Sequence, residues 1–457
     1  MKKISISILL IVQIISSAIF AADDDLFTDT NADNGFTTKV INVGQGNGIS
    51  VFDNKNGRIM IVDAGSSCLP AKQTVESIIP AMFVHIPQSL DMNPITIIVS
   101  HPDKDHLNWL KRILEHGAIK QNKSITVYLG GSFEKYLTAT EANTLLNALL
   151  NRKNLPTIHS LSHALTIDDM KDLVTKVDEY RPQFIKNHAL GYEDVDSAVI
   201  QTVRMAAQLV QKVRPFIVRS KMDGFDDFNR VVVEILGANA GHTPERVYPV
   251  NSGSISSFIS DVSCSRGEVV NPDENTNSII LRITFYKKER IIITGDATGI
   301  TTNRLIKNYL AAAEEEALNC DLLIACHHGS ITEESNNPRW VQATQPKWVV
   351  FSAGKYDSYH HPQFDAVWNY AGSPRIEVGA SSHPVLCSRL DTRELPSSKE
   401  VQTRGLDYSQ AITVGTTNKQ RWLENILCNR GVYSTHSSGT IVFNVAFDGA
   451  TTLTVEK

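Results

Sequence analysis

The stretch that most constrains this chain is Ser100-His101-Pro102-Asp103-Lys104-Asp105-His106, which follows directly on the apolar run Ile95-Thr96-Ile97-Ile98-Val99. A short apolar run bounded by turn residues reads as a buried strand. His101, Asp103, Asp105 and His106, all able to ligate a metal, fall within six positions off its end. A strand end holds its backbone still, and the loop after it can aim several side chains at one point. Two imidazoles and two carboxylates so aimed can hold divalent cations and generate hydroxide at neutral pH. A single His and Asp would read as a solvated turn; this density of ligands after a β run does not.

The pattern recurs along the chain. Arg58 to Val62 runs into Asp63, Arg290 to Thr294 into Gly295-Asp296, and Asp321 to Cys326 into His327-His328. Lys347 to Ser352 leads to a loop carrying His360 and His361. Strand ends converging at one sheet edge would make a single polar site, with Asp296 a ligand rather than a turn residue. Adjacent residues on a pleated strand point to opposite faces, so the spacing predicts one ligand from the pair His327 and His328. The other would bind substrate or support the ligands. His361 is favoured over His360 because Pro362 stiffens the backbone beside it. Asp63, before the small-residue loop Ala64-Gly65-Ser66-Ser67, is expected to orient ligands rather than to bind metal. Lys355 and Ser330 adjoin these motifs and either contact a phosphate or leaving group or are plain loop residues. His85, His116, His159, His163, His188, His242, His383 and His436 have no comparable context.

The N-terminus reads as a secretory signal peptide over residues 1–22. Met1-Lys2-Lys3 is basic, Ile4 to Ile15 is almost wholly apolar, and the small residues up to Ala22 suit cleavage. No other stretch approaches the length of a membrane span. The expectation is a protein without a membrane span in its mature form, periplasmic or secreted. The formal net charge of −5 argues against a general polyanion-binding surface, though not against a local basic groove.

Strand patterns at Lys39 to Val43 and Ile49 to Phe52 flank Gly44-Gln45-Gly46-Asn47-Gly48. No helix-opening pattern follows these glycines, so a dinucleotide fold is not indicated; they are expected to let backbone pass close to the metal loop. Helical spacing from Thr138 to Gln211 predicts a helical insertion over about 131–228. From Ser197 to Met222 there is no acidic residue beside Arg204, Lys212, Arg214, Arg219 and Lys221. That stretch is either a solvated face or a basic wall beside a phosphate-bearing substrate. Export permits disulfides, and Cys387 with Cys428 is the expected pair, flanking a second insertion at about 380–428. Cys326, next to His327, is a buried free thiol or an outer support of the site.

Together these motifs resemble the metallo-β-lactamase superfamily. The matching order is Val43-Gly44-Gln45-Gly46-Asn47, Ile61-Val62-Asp63-Ala64-Gly65, Ser100 to His106, Asn277-Ser278, Thr294-Gly295-Asp296, His327-His328-Gly329-Ser330 and His361-Pro362. More narrowly the chain is similar to the hydrolase domain of ComEC-type DNA-uptake proteins, from about Lys39 to Pro362 with a closing match near Tyr433 to Val442. The resemblance implies an α/β fold, a four-layer αββα sandwich over about 37–457. It implies a metal set of His101, Asp103, Asp105, His106, Asp296, His327 or His328, and His361, with Asp296 bridging two ions. Asp105, Asp296 and Lys355 are the expected catalytic residues. Two divalent ions follow, Zn²⁺ foremost; Asp103, where many members carry histidine, makes Mn²⁺ a credible competitor. Asn42 and Asn47 depart from the ComEC pattern, which has Asp there.

The expected activity is hydrolysis of a phosphodiester, of a phosphate-containing small molecule or a nucleic acid, by a metal-activated hydroxide. Two alternatives stand beside it: hydrolysis of a carboxylic ester, lactam or lactone at the same site, and a non-catalytic binding protein on this scaffold. The complete ligand set argues against the latter.

Overall fold

The computed structural model describes residues 35–70, 73–83, 93–162, 165–175, 217–227, 230–241, 274–311, 318–356, 358–390, 395–415 and 420–456. Residues 1–22, Cys264 and the greater part of the acid-free stretch lie outside them. In chain order the strands are β1 (Phe36–Val40), β2 (Gly48–Asp53), β3 (Arg58–Ala64), β4 (Ile95–Val99), β5 (Ile125–Leu129), β6 (Thr157–Ser160), β7 (Ile217–Asp227), β8 (Val231–Ala238), β9 (Ile280–Phe285) and β10 (Glu289–Ile293). There follow β11 (Leu322–Ile324), β12 (Trp348–Phe351), β13 (Val378–Leu390), β14 (Leu406–Asp407), β15 (Ile412–Gly415), β16 (Gln420–Arg430), β17 (Val432–Ser434), β18 (Thr440–Val445) and β19 (Thr451–Glu456).

Two mixed sheets carry the fold. The first has the order β19-β18-β1-β2-β3-β4-β5-β6 and the second β17-β12-β11-β10-β9-β8-β7. In each, an antiparallel meander gives way to parallel strands: β3 to β6 in the first sheet, β10 to β12 and β17 in the second. Strands buried on both faces explain the near-continuous apolar runs in the sequence. Alternation then assigns the faces. Ile97 and Val99 of β4 face the helices at Val75–Ala81, Leu110–Glu115 and Thr140–Leu150, forming one core. Ile98 turns inward with Met60, Val62 and Tyr128 to meet Leu281, Ile283, Ile293 and Ile324 of the other sheet. Ile280, Ile292, Leu323 and Val349 face outward against helices Gly299–Ala311, Pro338–Thr344 and Phe364–Ala371. The layers are therefore helix, sheet, sheet, helix, the expected αββα sandwich.

Of the expected helical insertion at about 131–228, residues 163–164, 176–216 and 228–229 lie outside the described residues. Its helices Phe133–Thr138 and Thr140–Leu150 pack on the first sheet as part of the outer layer, with Phe133, Tyr136, Leu145 and Leu146 in that core. The segment also contributes β6, parallel to β5, and β7, antiparallel to β8. Helical periodicity located the helices; the four-residue β6, too short to show alternation, falls below that signal.

The segment at about 380–428 forms a small third sheet, β13-β16-β14 with β15 also on β16. It holds no bridge between Cys387 and Cys428. Cys387 is in register with Leu423 while Cys428 faces His383, and both thiols are free. The two cysteines sit at different levels of the ladder, out of bonding reach. Export as such does not require the pair; these thiols are core residues beside Val385 and Ile426.

Candidate metal centre

The site lies where parallel strands of both sheets end at their carboxyl edges. Asp63 is the penultimate residue of β3, Ser100-His101 follow β4 directly, Gly295-Asp296 come one residue after β10, His327-His328 two residues after β11, and Ser352 directly after β12. Two glycines let the loops approach. A Cβ on Gly46 would meet Gly65 O at 2.3 Å and Asp105 O at 2.8 Å. A Cβ on Gly295, at φ +51°, would meet Ser100 Cβ at 2.7 Å. The glycine turn thus passes against the metal loop, as its composition suggested, and Asn47 N donates to Asp105 O at 3.0 Å.

Asp63 is buried and is spent on support. Its Oδ1 accepts from Ser100 N at 2.7 Å and its Oδ2 from Ser100 Oγ at 2.7 Å. His106 Nδ1 lies 2.8 Å from the same Oδ2. A carboxylate only accepts, so Nδ1 carries the proton and Nε2 turns toward Asp296 Oδ1, 3.1 Å away. His328 is oriented the same way: Nδ1 lies 2.7 Å from the carbonyl of Ser352, leaving Nε2 toward Asp105 Oδ2 at 3.4 Å and Asp296 Oδ2 at 3.5 Å. His101 Nδ1 is flanked by the hydroxyls of Ser100 at 3.1 Å and Ser278 at 3.3 Å. Its Nε2 faces Asp103 Oδ2 at 3.6 Å and Asp296 Oδ2 at 4.0 Å.

Asp296 is the hub. Oδ1 meets His106, and Oδ2 lies within 4.0 Å of each of His101, His327 and His328. Two triads have ligand atoms within 4.8 Å of one another: His101, His106 and Asp296, and Asp105, His106 and His328. His361 joins from the other side, its ring 5.3 Å from that of His327. The sequence-predicted ligands His101, Asp103, Asp105, His106, Asp296, His327, His328 and His361 are thus brought together.

The pleat argument for His327 and His328 fails for a physical reason. Both residues lie beyond β11 with left-handed backbones, φ 46° and 55°, and both imidazoles reach Asp296 Oδ2, at 3.6 and 3.5 Å. Lys355 does not join the cluster through any contact among the described residues; its ammonium pairs with Glu424 on β16 at 2.6 Å. Ser330 is likewise taken up locally, its Oγ 2.5 Å from Thr332 Oγ1.

The electrostatics follow the geometry. Burial works against protonated His106, but Asp296 and Asp63 overcome it and raise its pKa well above the ordinary range. Burial likewise opposes ionised Asp296, and His106, His328 and His327 outweigh it and hold the carboxyl well below its usual range. Asp105 is down at about 2 despite burial, through the nearby imidazoles of His328 and His106. His361 is pushed well below the ordinary imidazole range by burial, then by His327 and His328. Cys326 rises to about 12, chiefly by burial, and is a packed thiol rather than a ligand.

Buried ligand atoms lacking hydrogen-bond partners test whether a cation fits. His101 Nε2, His106 Nε2, His328 Nε2 and Asp296 Oδ1 are all of this kind. Orphaned buried polar atoms are expensive, and here they converge with their opposite ring nitrogens already supported. This set suits a divalent cation taking nitrogen and carboxylate ligands.

Glu274, missed in the sequence, stands beside this centre. Its Oε2 accepts from Ser132 N at 2.7 Å, and burial raises its pKa to about 7 against the pull of Ser132, Lys135 and His101. No local motif marks it. Ser352 follows the same strand-end rule as the ligands and was within reach of it.

No family model and no curated protein matches the chain. Similar solved structures include the metallo-beta-lactamase fold protein YhfI from Bacillus subtilis, at 11% identity, with 70% of this chain and 88% of that one covered and a TM-score of 0.31. A long form RNase Z from yeast is 13% identical, with 76% of this chain and 41% of that one covered and a TM-score of 0.30. These are distant likenesses of fold; the αββα architecture rests on the sheet order and cores described above.

Proposed function

We propose that this chain is an exported, metal-dependent hydrolase acting on a phosphodiester. The observation that carries the reading is that buried ligand atoms lacking hydrogen-bond partners, from His101, His106, His328 and Asp296, gather in two adjoining groups that share His106. Asp296 would lie between two cations, since its two oxygens face different histidines. With Nδ1 engaged by Asp63, His106 would offer one nitrogen to a cation beside His101 and Asp296, and Asp105 and His328 would be the residues to hold a second. His361 and His327 flank it. A divalent cation bound here would act as a Lewis acid and lower the pKa of water toward neutrality.

The protein's own residues supply the remainder. Asp63, Ser352 and Ser278 fix the ring orientations of His106, His328 and His101. Asp103 is half exposed at the rim and adds an oxygen donor, the feature favouring Mn²⁺ beside Zn²⁺. Export rests on the pattern of Met1 to Ala22. The ComEC-like order of motifs favours the phosphodiester over a carboxylic ester or lactam.

The test is turnover of bis-p-nitrophenyl phosphate, single-stranded DNA and a chromogenic lactam, each with Zn²⁺ and with Mn²⁺. Diester cleavage lost by at least a hundredfold in Asp296→Ala is expected. Lactam turnover without diester turnover would replace the substrate reading, and full activity in Asp296→Ala would remove the hydrolase reading altogether.

A further inference from the structure

The loop that delivers His361 also carries Tyr356 and Tyr359. Tyr359 is 50% exposed, unusual for a large aromatic side chain beside a buried polar cluster. Its ring lies parallel to that of His361, 4° between planes with centroids 6.2 Å apart. Tyr356 meets Tyr359 edge-on at 5.3 Å. His361 in turn packs against His327, so an aromatic series runs from solvent into the donor cluster. The loop is anchored from behind. His360 stacks on Trp422, which is fully buried, its carbonyl accepts from Ser388 Oγ at 2.5 Å, and its amide donates to Tyr356 O at 3.0 Å. The surface is thus built before any ligand arrives, which lowers the ordering cost of stacking.

We propose that Tyr356 and Tyr359 form an aromatic ledge at the mouth of the metal centre, on which the base of a nucleotide diester stacks while its phosphate reaches the cluster. This deepens the phosphodiesterase reading and rests on it. Planar stacking suits any base and implies weak sequence preference.

The experiment compares thymidine 5′-(p-nitrophenyl phosphate) with methyl p-nitrophenyl phosphate on the full metal-loaded protein. Both share the aryl leaving group, so the ratio of their kcat/KM values reads the nucleoside alone. The expected result is a ratio about tenfold lower in Tyr359→Leu, carried by KM, and retained in Tyr359→Phe. An unchanged ratio in Tyr359→Leu, or equal loss in Tyr359→Phe, overturns the ledge. Should Tyr359→Leu fail to fold, Tyr356→Leu replaces it, with a ratio about threefold lower expected and an unchanged ratio overturning the proposal. Should the wild type cleave neither diester, the phosphodiesterase reading fails and the ledge is read by calorimetric titration with thymidine 5′-monophosphate. Affinity about tenfold weaker in Tyr359→Leu supports the ledge, and equal affinity overturns it.

Discussion

Asp63 accepts three hydrogen bonds inside the protein, one on Oδ1 and two on Oδ2. By holding His106 Nδ1–H it fixes both the tautomer and the direction of Nε2, and by holding Ser100 it fixes the start of the motif loop. Such supports typically govern metal affinity by ten- to a hundredfold. Asp63→Ala is therefore expected to weaken Zn²⁺ or Mn²⁺ binding by roughly that factor, measured by chelator competition, while circular dichroism stays native. Glu274 gives a second expectation at this scale. Its folded pKa is raised from 4.5 to about 7, so the native state holds the proton more tightly than the unfolded chain. That contribution is complete below about pH 4.5 and is lost as pH rises through about 7. The loss amounts to about 3 kcal/mol at most. In metal-free protein, Tm of Glu274→Gln should fall less than that of wild type between pH 5 and pH 8; parallel curves would contradict the assignment.

Among the elements, the parallel strands do the positioning. Apolar runs closed by Asp or His were legible in the sequence because a strand buried on both faces leaves a continuous hydrophobic signature, and its end marks where polar groups begin. Asp63, His101 and Asp296 were found that way, and Asp63's supporting role followed from the small-residue loop behind it. The facing of His327 and His328 was not legible, because the strand stops at Ile324 and the left-handed turn after it turns both rings toward Asp296. The partner of Lys355, Glu424, comes from sixty-nine positions further along the chain, a pairing that local pattern does not encode. The expected pairing of Cys387 with Cys428 fails for a related reason: an even count of cysteines says nothing of register. Since Cys68, Cys320, Cys326, Cys387 and Cys428 are free, dithiothreitol should leave Tm unchanged, whereas a fall of several degrees would show a bridge.

At the scale of the whole molecule, two sheets contribute opposite halves of one centre. His101 and His106 come with the first sheet, Asp296 and His328 with the second, and the core of Ile98, Val62, Leu281 and Ile324 between them sets the distance. Buried ion pairs tie the sheets further out: Arg230 before β8 reaches Asp53 at the end of β2 at 2.8 Å. A cation bound here would therefore couple to sandwich stability, since residues on both sheets would have to stay in place together. Raised imidazole pKa values at His101, His106 and His328 mean that a cation must displace protons, so affinity is expected to rise with pH across the neutral range. The most direct measurement is elemental analysis of the purified full chain after equilibration with Zn²⁺ and, separately, Mn²⁺, beside Asp296→Ala. About two equivalents of divalent cation are expected on the wild type and clearly fewer on the variant; wild-type protein that retains none at neutral pH would rule out the metal centre.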